Sequence, residues 1–319
     1  MKEGEYMDEK EKNHIRDIEE LLHSFAEALS IAIDERSPYN GDHTRRVAGY
    51  TQTLIDFVNS EHSAGRCDIF FDKTHSTQLV LAAYLHDIGK LAIPVTILNK
   101  SSRLGERVQK IRERMRLLRA YWEIDVLKGR CSQEEYKRAI ADIDEMVARV
   151  RKMNDKPELD DDDINYIESV KDKQYISEKG KKFFYLTKYE VDCLTIRHGT
   201  LTENERLLIQ QHAEMTQKML DTVDFKGTYR QLAIWAGNHH EYLDGSGYPG
   251  GLTAEELSIE SRILTIVDIY DALTSKDRPY KEPNTPEEAF QILKKMAQDG
   301  KIDTRLVMLF ESAMKKTQS

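Results

Sequence analysis

The chain has 319 residues, of which 39% are hydrophobic and 32% charged, and its 47 Lys and Arg face 56 Asp and Glu. That length holds one large domain or two smaller ones. The net charge of −9 argues against a nucleic-acid polymer as partner, because chains that track phosphate backbones carry a strong basic excess. A small phosphorylated ligand stays open, since a few local cations can hold it.

No apolar run approaches the roughly 20 residues that a membrane-spanning helix needs, so no membrane association is expected. The opening MKEGEYMDEKEKNH has no apolar core and is not a secretory signal, which makes the cytoplasm the expected location. Cys67, Cys131 and Cys193 are widely spaced without a CxxC pair and read as reduced structural thiols.

In chain order, Ile15, Ile18, Leu22, Phe25 and Leu29 recur at steps of three and four, which predicts an amphipathic helix over residues 10–34. Its stripe suits either packing on the following domain or a coiled-coil contact in a homodimer. Arg45–Val58 and Thr77–His86 read as helices, with a break over Gly65–Thr74 and punctuation at Gly89 and Pro94. Val108, Ile111, Met115, Leu118 and Trp122 form the next stripe. After Gly129 come Tyr136, Ile140, Ile143, Val147 and Val150, so the two stripes predict a helical hairpin.

KPELDDDDIN follows, and its four aspartates read as a solvated helix start rather than a cation site. Lys179, Lys181 and Lys182 make a basic patch, and nothing else between residues 101 and 200 resembles a reactive constellation. Thr202 with Glu205 is a capping-box signature opening LTENERLLIQQHAEMTQKML. A helix over Thr228–His239, the glycine-dense loop EYLDGSGYPGGL, the apolar helix SRILTIVDIYDALTS and a helical pair after Pro286 complete the chain. Period-two alternation is almost absent. The fold class is therefore all-α.

Several polar residues sit where burial would be costly. An apolar stretch, LAAYL, ends in His86–Asp87, followed by Gly89 and Lys90. A divalent cation offsets that cost by taking imidazole nitrogen and carboxylate oxygen together, although a core histidine bonded to a carboxylate gives the same two letters. His239–His240 likewise follows an apolar segment, and Asp268 lies inside RILTIVDIYDALTS among apolar neighbours. Asp271, one turn later, is placed to support the same site. His43, in SPYNGDHTRRV, and His212, in LLIQQHAEM, gain meaning only with the others.

Taken together, HDIGK, HHEYLDGSGYPGGL and DALTSKDRPYK resemble the HD-GYP family of the HD phosphohydrolase superfamily, bacterial cyclic di-GMP phosphodiesterases. The resemblance spans residues 28–100 and 201–315. It implies an HD-domain helical bundle over residues 28–315, interrupted by a helical insertion at 101–200 and preceded by an N-terminal helix over 1–27. It further implies a metal shell of His43, His86, Asp87, His212, His239, His240 and Asp268, with Asp87 bridging two divalent transition metal ions. Fe or Mn is expected, with Ni or Zn as alternatives. Lys90, Arg278 and Lys281 would bind the substrate, and Asp87 and Lys90 would serve catalysis.

The implied reaction is hydrolysis of cyclic di-GMP to linear pGpG or GMP by a metal-activated hydroxide. Alternatives are another nucleotide such as cyclic GMP–AMP, or a metal-bound signalling module that engages a partner at the GYP loop. Tyr248 faces either a ligand or a partner in this reading, or simply packs. Some members of the family hold a third metal through a glutamate four residues before the first histidine. Tyr39 occupies that position, so a binuclear centre is expected, with Glu35 a substitute only if the chain bends. The second departure is the insertion, where members usually run from LNK almost directly into the LT-x-x-E helix. It suits a dimer surface, a lid or a docking surface.

Overall fold

The computed structural model describes residues 9–36, 42–275 and 283–317. These fall into two compact units, one comprising the described residues up to Leu98 and from Leu208, the other Asn99–Leu207. The all-α expectation holds, with one small two-stranded hairpin as the exception. Among the described residues no helix is long and apolar enough to cross a membrane.

The first unit begins with α1 (Glu9–Asp34), α2 (His43–Ser63) and α3 (Lys73–Leu85), followed by a 3-10 turn over Ile88–Ala92 and the short α4 (Val95–Leu98). α1 turns only part of the predicted stripe inward. Leu22 and Leu29 pack on the core with Ala26, whereas Ile18 and Phe25 are exposed, and the side chain of Ile15 lies outside the described residues. A strict three-four spacing drawn through Ile18 and Phe25 misses the buried Ala26 and Ile33, because small or distant members of a face weigh little in a pattern. α3 is buried from Gln78 to Leu85 on all sides, which explains why its sequence shows almost no amphipathicity.

The second unit holds α5 (Arg107–Leu127) and α6 (Gln133–Asp155), the expected helical hairpin, then α7 (Asp161–Val170). Ser132 caps α6, accepting from the Glu135 N–H while Glu135 accepts from the Ser132 N–H. The aspartate run does start a helix: Asp160 caps α7, and Lys156 pairs with Asp160 and Asp163. Strands β1 (Gln174–Ile176) and β2 (Lys182–Phe184) pair antiparallel, with Tyr175 opposite Phe183. The sequence KKFFY shows no alternation that would have revealed them. α8 (Lys188–Leu194) follows.

Residues from Leu104 to Leu194 form this unit's own core, around Ile111, Met115, Leu118, Ile143 and Tyr185. Arg103 is fully buried, and its guanidinium donates to the carbonyls of Ile196, Met153, Lys156, Pro157 and Arg197. The Lys100 side chain is also buried, pairing with Glu205 at 2.7 Å. Glu205 completes the expected box with Thr202 at the start of α9 (Glu203–Asp221).

From Leu208 the chain is again in the first unit. A 3-10 turn over Gly227–Arg230 leads into α10 (Gln231–Gly237), shorter than the predicted helix. The GYP loop, α11 (Ile259–Thr274), α12 (Pro286–Gln298) and α13 (Thr304–Thr317) complete it. Its core joins α2, α3, α10, α11, α12 and α13 through residues such as Leu54, Leu81, Ala236, Ile266 and Phe310.

Candidate metal centre

Each expected ligand is delivered by a helix end or an apolar helix face. His43 is the first residue of α2, where Asp34 accepts from the Thr44 hydroxyl at 3.0 Å and the Thr44 N–H at 3.3 Å. α3 carries His86 and Asp87 at its C-terminal end into the interior. Gly89 follows because nothing larger fits: an added Cβ would lie 1.9 Å from the His212 carbonyl oxygen. Thr216 fills the contact by accepting from the Gly89 N–H at 3.0 Å and donating to the His86 carbonyl at 2.8 Å. His212 projects from α9, His239 and His240 follow α10, and Asp268 and Asp271 lie one turn apart on α11.

These side chains converge. Asp87 Oδ2 lies 3.3 Å from His43 Nε2 and 3.4 Å from His86 Nε2. Its other oxygen, Oδ1, is 3.4 Å from His212 Nε2 and 4.0 Å from His239 Nε2. Asp268 Oδ1 is 3.4 Å from His43 Nε2, and Oδ2 is 3.9 Å from His240 Nδ1. One carboxylate thus stands between two sets of imidazoles. His43, His86 and Asp268 form one close group, His212, His239 and His240 another, and His86, Asp87 and His239 a third.

Hydrogen bonding supports a cation in this space. The Nδ1 atoms of His212 and His239 lie 2.7 and 2.6 Å from the carbonyls of Ile209 and Ala236, so Nδ1 must carry the proton in each. Burial lowers the basicity of both rings and keeps them neutral. Their Nε2 atoms then face each other at 3.3 Å as two lone pairs. Only a shared electrophile makes that contact favourable, so the donor set fits divalent metal ions. His240 is pushed down to about 4 by burial, leaving another neutral imidazole.

His43 behaves differently. Burial opposes its charge, but hydrogen bonds to Asp271 and Asp87 outweigh that and push it up to about 10. Its Nδ1 donates to Asp271 Oδ2 at 2.7 Å, and Asp271 also accepts from Arg46 Nε at 2.6 Å. Although burial alone would raise Asp271, those two partners hold it below the usual carboxylate range. Burial likewise opposes the charge on Asp87, while Lys90 and His86 hold it well below that range.

Lys90 Nζ lies 2.5 Å from Asp87 Oδ2, next to the cluster. Arg278, Lys281 and Tyr39 lie outside the described residues, and Glu35 is exposed. The Tyr248 ring lies 4.7 Å from that of His240, and burial with the nearby Asp268 and Asp87 charges keeps its phenol protonated. Arg46, Thr216 and Glu241 were not singled out by sequence reasoning. Arg46 lies three residues after His43, one helical turn along, and Glu241 directly follows the histidine pair, which are the only local signals they give.

An HD domain matches residues 40–173, and a second HD-domain description matches residues 190–306. The chain is 38% identical over 108 residues to 3'3'-cGAMP-specific phosphodiesterase 1 of Vibrio cholerae, covering 34% of this chain and 24% of that protein. It is also 38% identical over 118 residues to the cyclic di-GMP phosphodiesterase response regulator RpfG of Xanthomonas campestris, covering 36% and 30%. To a cyclic di-GMP phosphodiesterase of Thermotoga maritima it is 36% identical over 107 residues, covering 33% and 28%. The chain thus spans less than a third of the length of these relatives. With His43, His86 and Asp87 inside one match, His212, His239, His240 and Asp268 inside the other, and a GYP loop consistent with the HD-GYP branch, the chain belongs to the HD-domain family.

Proposed function

We propose that the protein is a metal-dependent phosphodiesterase that hydrolyses a cyclic dinucleotide, cyclic di-GMP first, to its linear dinucleotide or mononucleotide. The observation that carries this reading is Asp87, whose two oxygens reach separate sets of imidazole nitrogens. Two divalent ions held there would supply charge neutralisation and an activated water for attack on phosphorus. Their ligands in this reading are His43, His86, Asp87, His212, His239, His240 and Asp268. The mixed nitrogen and carboxylate donors suit Fe, Mn, Ni or Zn, and the family resemblance favours Fe or Mn among them.

The chain's own residues do the remaining work. Asp271 orients His43 by accepting its Nδ1 proton, so that Nε2 faces Asp87 and Asp268. Lys90, beside Asp87, places a cation where non-bridging phosphate oxygens arrive. Arg278 and Lys281 are assigned to the remaining phosphate charge by their DRPYK motif.

The test is turnover of a cyclic dinucleotide panel, including cyclic GMP–AMP, by protein loaded with Mn²⁺ or Fe²⁺. The expected outcome is hydrolysis of cyclic di-GMP that falls to background in Asp87→Ala, together with metal content. No turnover of any panel member would overturn the reading. Preference for cyclic GMP–AMP is the second reading, supported by the Vibrio cholerae relative, because the metal ligands address phosphate and not the base. A homodimer formed through α1 belongs to the same proposal, supported by the exposed Ile18, Leu21 and Phe25.

A further inference from the structure

Glu241 follows the paired histidines, yet its side chain does not join them. It is buried, and its carboxylate accepts from the N–H groups of Gly251 at 3.1 Å and Leu252 at 3.0 Å, with Gly250 as a third donor. Backbone donors aimed at an ionised oxygen form strong, charge-assisted hydrogen bonds. One side chain therefore ties the far end of the GYP loop back to the segment that bears His239 and His240.

The near end is tied as well. The Tyr248 N–H donates to the His240 carbonyl at 3.1 Å. A Cβ at Gly247 would come within 2.4–2.6 Å of backbone atoms of Tyr242, Glu241 and His240, so the loop lies directly on the histidine segment there. Tyr248 is thus fixed on both sides. Its ring lies 4.7 Å from the His240 ring at 37°, and 6.4 Å from that of His212 at 75°.

We propose that Glu241 is a positioning residue that holds Tyr248 against His240, where the tyrosine contacts the nucleoside part of the bound cyclic dinucleotide. This rests on the phosphodiesterase reading above. It assigns Glu241 no role at the reacting phosphorus and none in metal binding. Its influence should therefore run through Tyr248 and show in KM rather than kcat.

The test is a double-mutant cycle on the metal-loaded full chain, with Glu241→Ala, Glu241→Gln, Tyr248→Ala and the combination of Glu241→Ala with Tyr248→Ala. Losing one contact of ordinary hydrogen-bond strength corresponds to about a tenfold rise in KM. Glu241→Ala and Tyr248→Ala are each expected to raise KM by about that factor, with metal content and kcat little changed. The double variant should be no worse than the poorer single one. Glu241→Gln should fall between wild type and Glu241→Ala, because it keeps the oxygen facing Gly250 and Gly251 but turns an NH2 group toward the Leu252 N–H. If Glu241→Ala does not fold, the Gln variant combined with Tyr248→Ala decides.

Bis(p-nitrophenyl) phosphate, a diester without a nucleoside, serves as the control, and its KM should not move. Additive KM effects, or a Glu241 effect confined to kcat or metal content, would overturn the inference while leaving the phosphodiesterase reading intact. A wild-type protein that cleaves the small diester but no cyclic dinucleotide would overturn both.

Discussion

At the scale of single residues, the cluster is organised by where protons are already committed. His212 and His239 spend Nδ1–H on carbonyls of their own chain segments, whereas His43 spends it on Asp271. Removing the Asp271 charge should therefore loosen the orientation of His43 without deleting a ligand. Asp271→Asn is expected to weaken metal affinity roughly ten- to hundredfold, read by competition with a chelator, and unchanged affinity would refute this role.

Proton commitments also set the stability profile of the metal-free protein. His240 is pushed from 6.5 to about 4, so its contribution is complete above pH 6.5 and is lost as pH falls toward 4. His43 is pushed from 6.5 to about 10, so its contribution is complete below pH 6.5 and is lost as pH rises toward 10. Thermal unfolding in the presence of a chelator should show a maximum near neutral pH, with Tm falling on both sides. A flat profile from pH 5 to 9 would contradict both assignments. Added metal must displace these protons, so its stabilising effect should shrink as the solution is acidified.

At the scale of elements, caps and loops were the most legible features, because their chemistry is local. The Thr202–Glu205 box and the aspartate-rich start of α7 need only four neighbouring residues, and both stand as expected. The face of α1 was not legible, because Ile18 and Phe25 suit an apolar stripe as well as Leu22 and Ala26 do. Only packing chose between them. Arg103 was equally silent: nothing around it in sequence announces five carbonyl acceptors brought from residues 153–157 and 196–197. Arg103→Ala should destabilise the second unit by about 3 kcal/mol or more, since several buried carbonyls lose their donor together. Denaturant titration measures this, and a loss under 1 kcal/mol would show that water replaces the guanidinium.

At the scale of the whole molecule, two hydrophobic cores imply two unfolding events that metal should affect unequally. The expected ligands all belong to the unit ending at Leu98 and resuming at Leu208. The chain's 2 tryptophans divide between the units, Trp235 in that core and Trp122 packed on the other. In Trp122→Phe, fluorescence should report a Tm that rises with added Mn²⁺, whereas in Trp235→Phe the remaining tryptophan should report little change. Equal shifts in both variants would show that the units unfold as one.

The sequence by itself determined the all-α class, the helical hairpin within 101–200 and the identity of the candidate ligands. Helical periodicity and capping act over a few residues, and HDIGK and HHEYLDGSGYPGGL are contiguous runs. What only the tertiary structure decided is how those residues meet. That Asp87 divides its two oxygens between imidazole sets, that Asp271 is shared by His43 and Arg46, and that Glu241 clasps the loop bearing Tyr248 each depend on contacts between segments. Spacing along a chain carries no distance across a fold. The site opened in the sequence as a histidine beside an aspartate, and packing made that aspartate its centre.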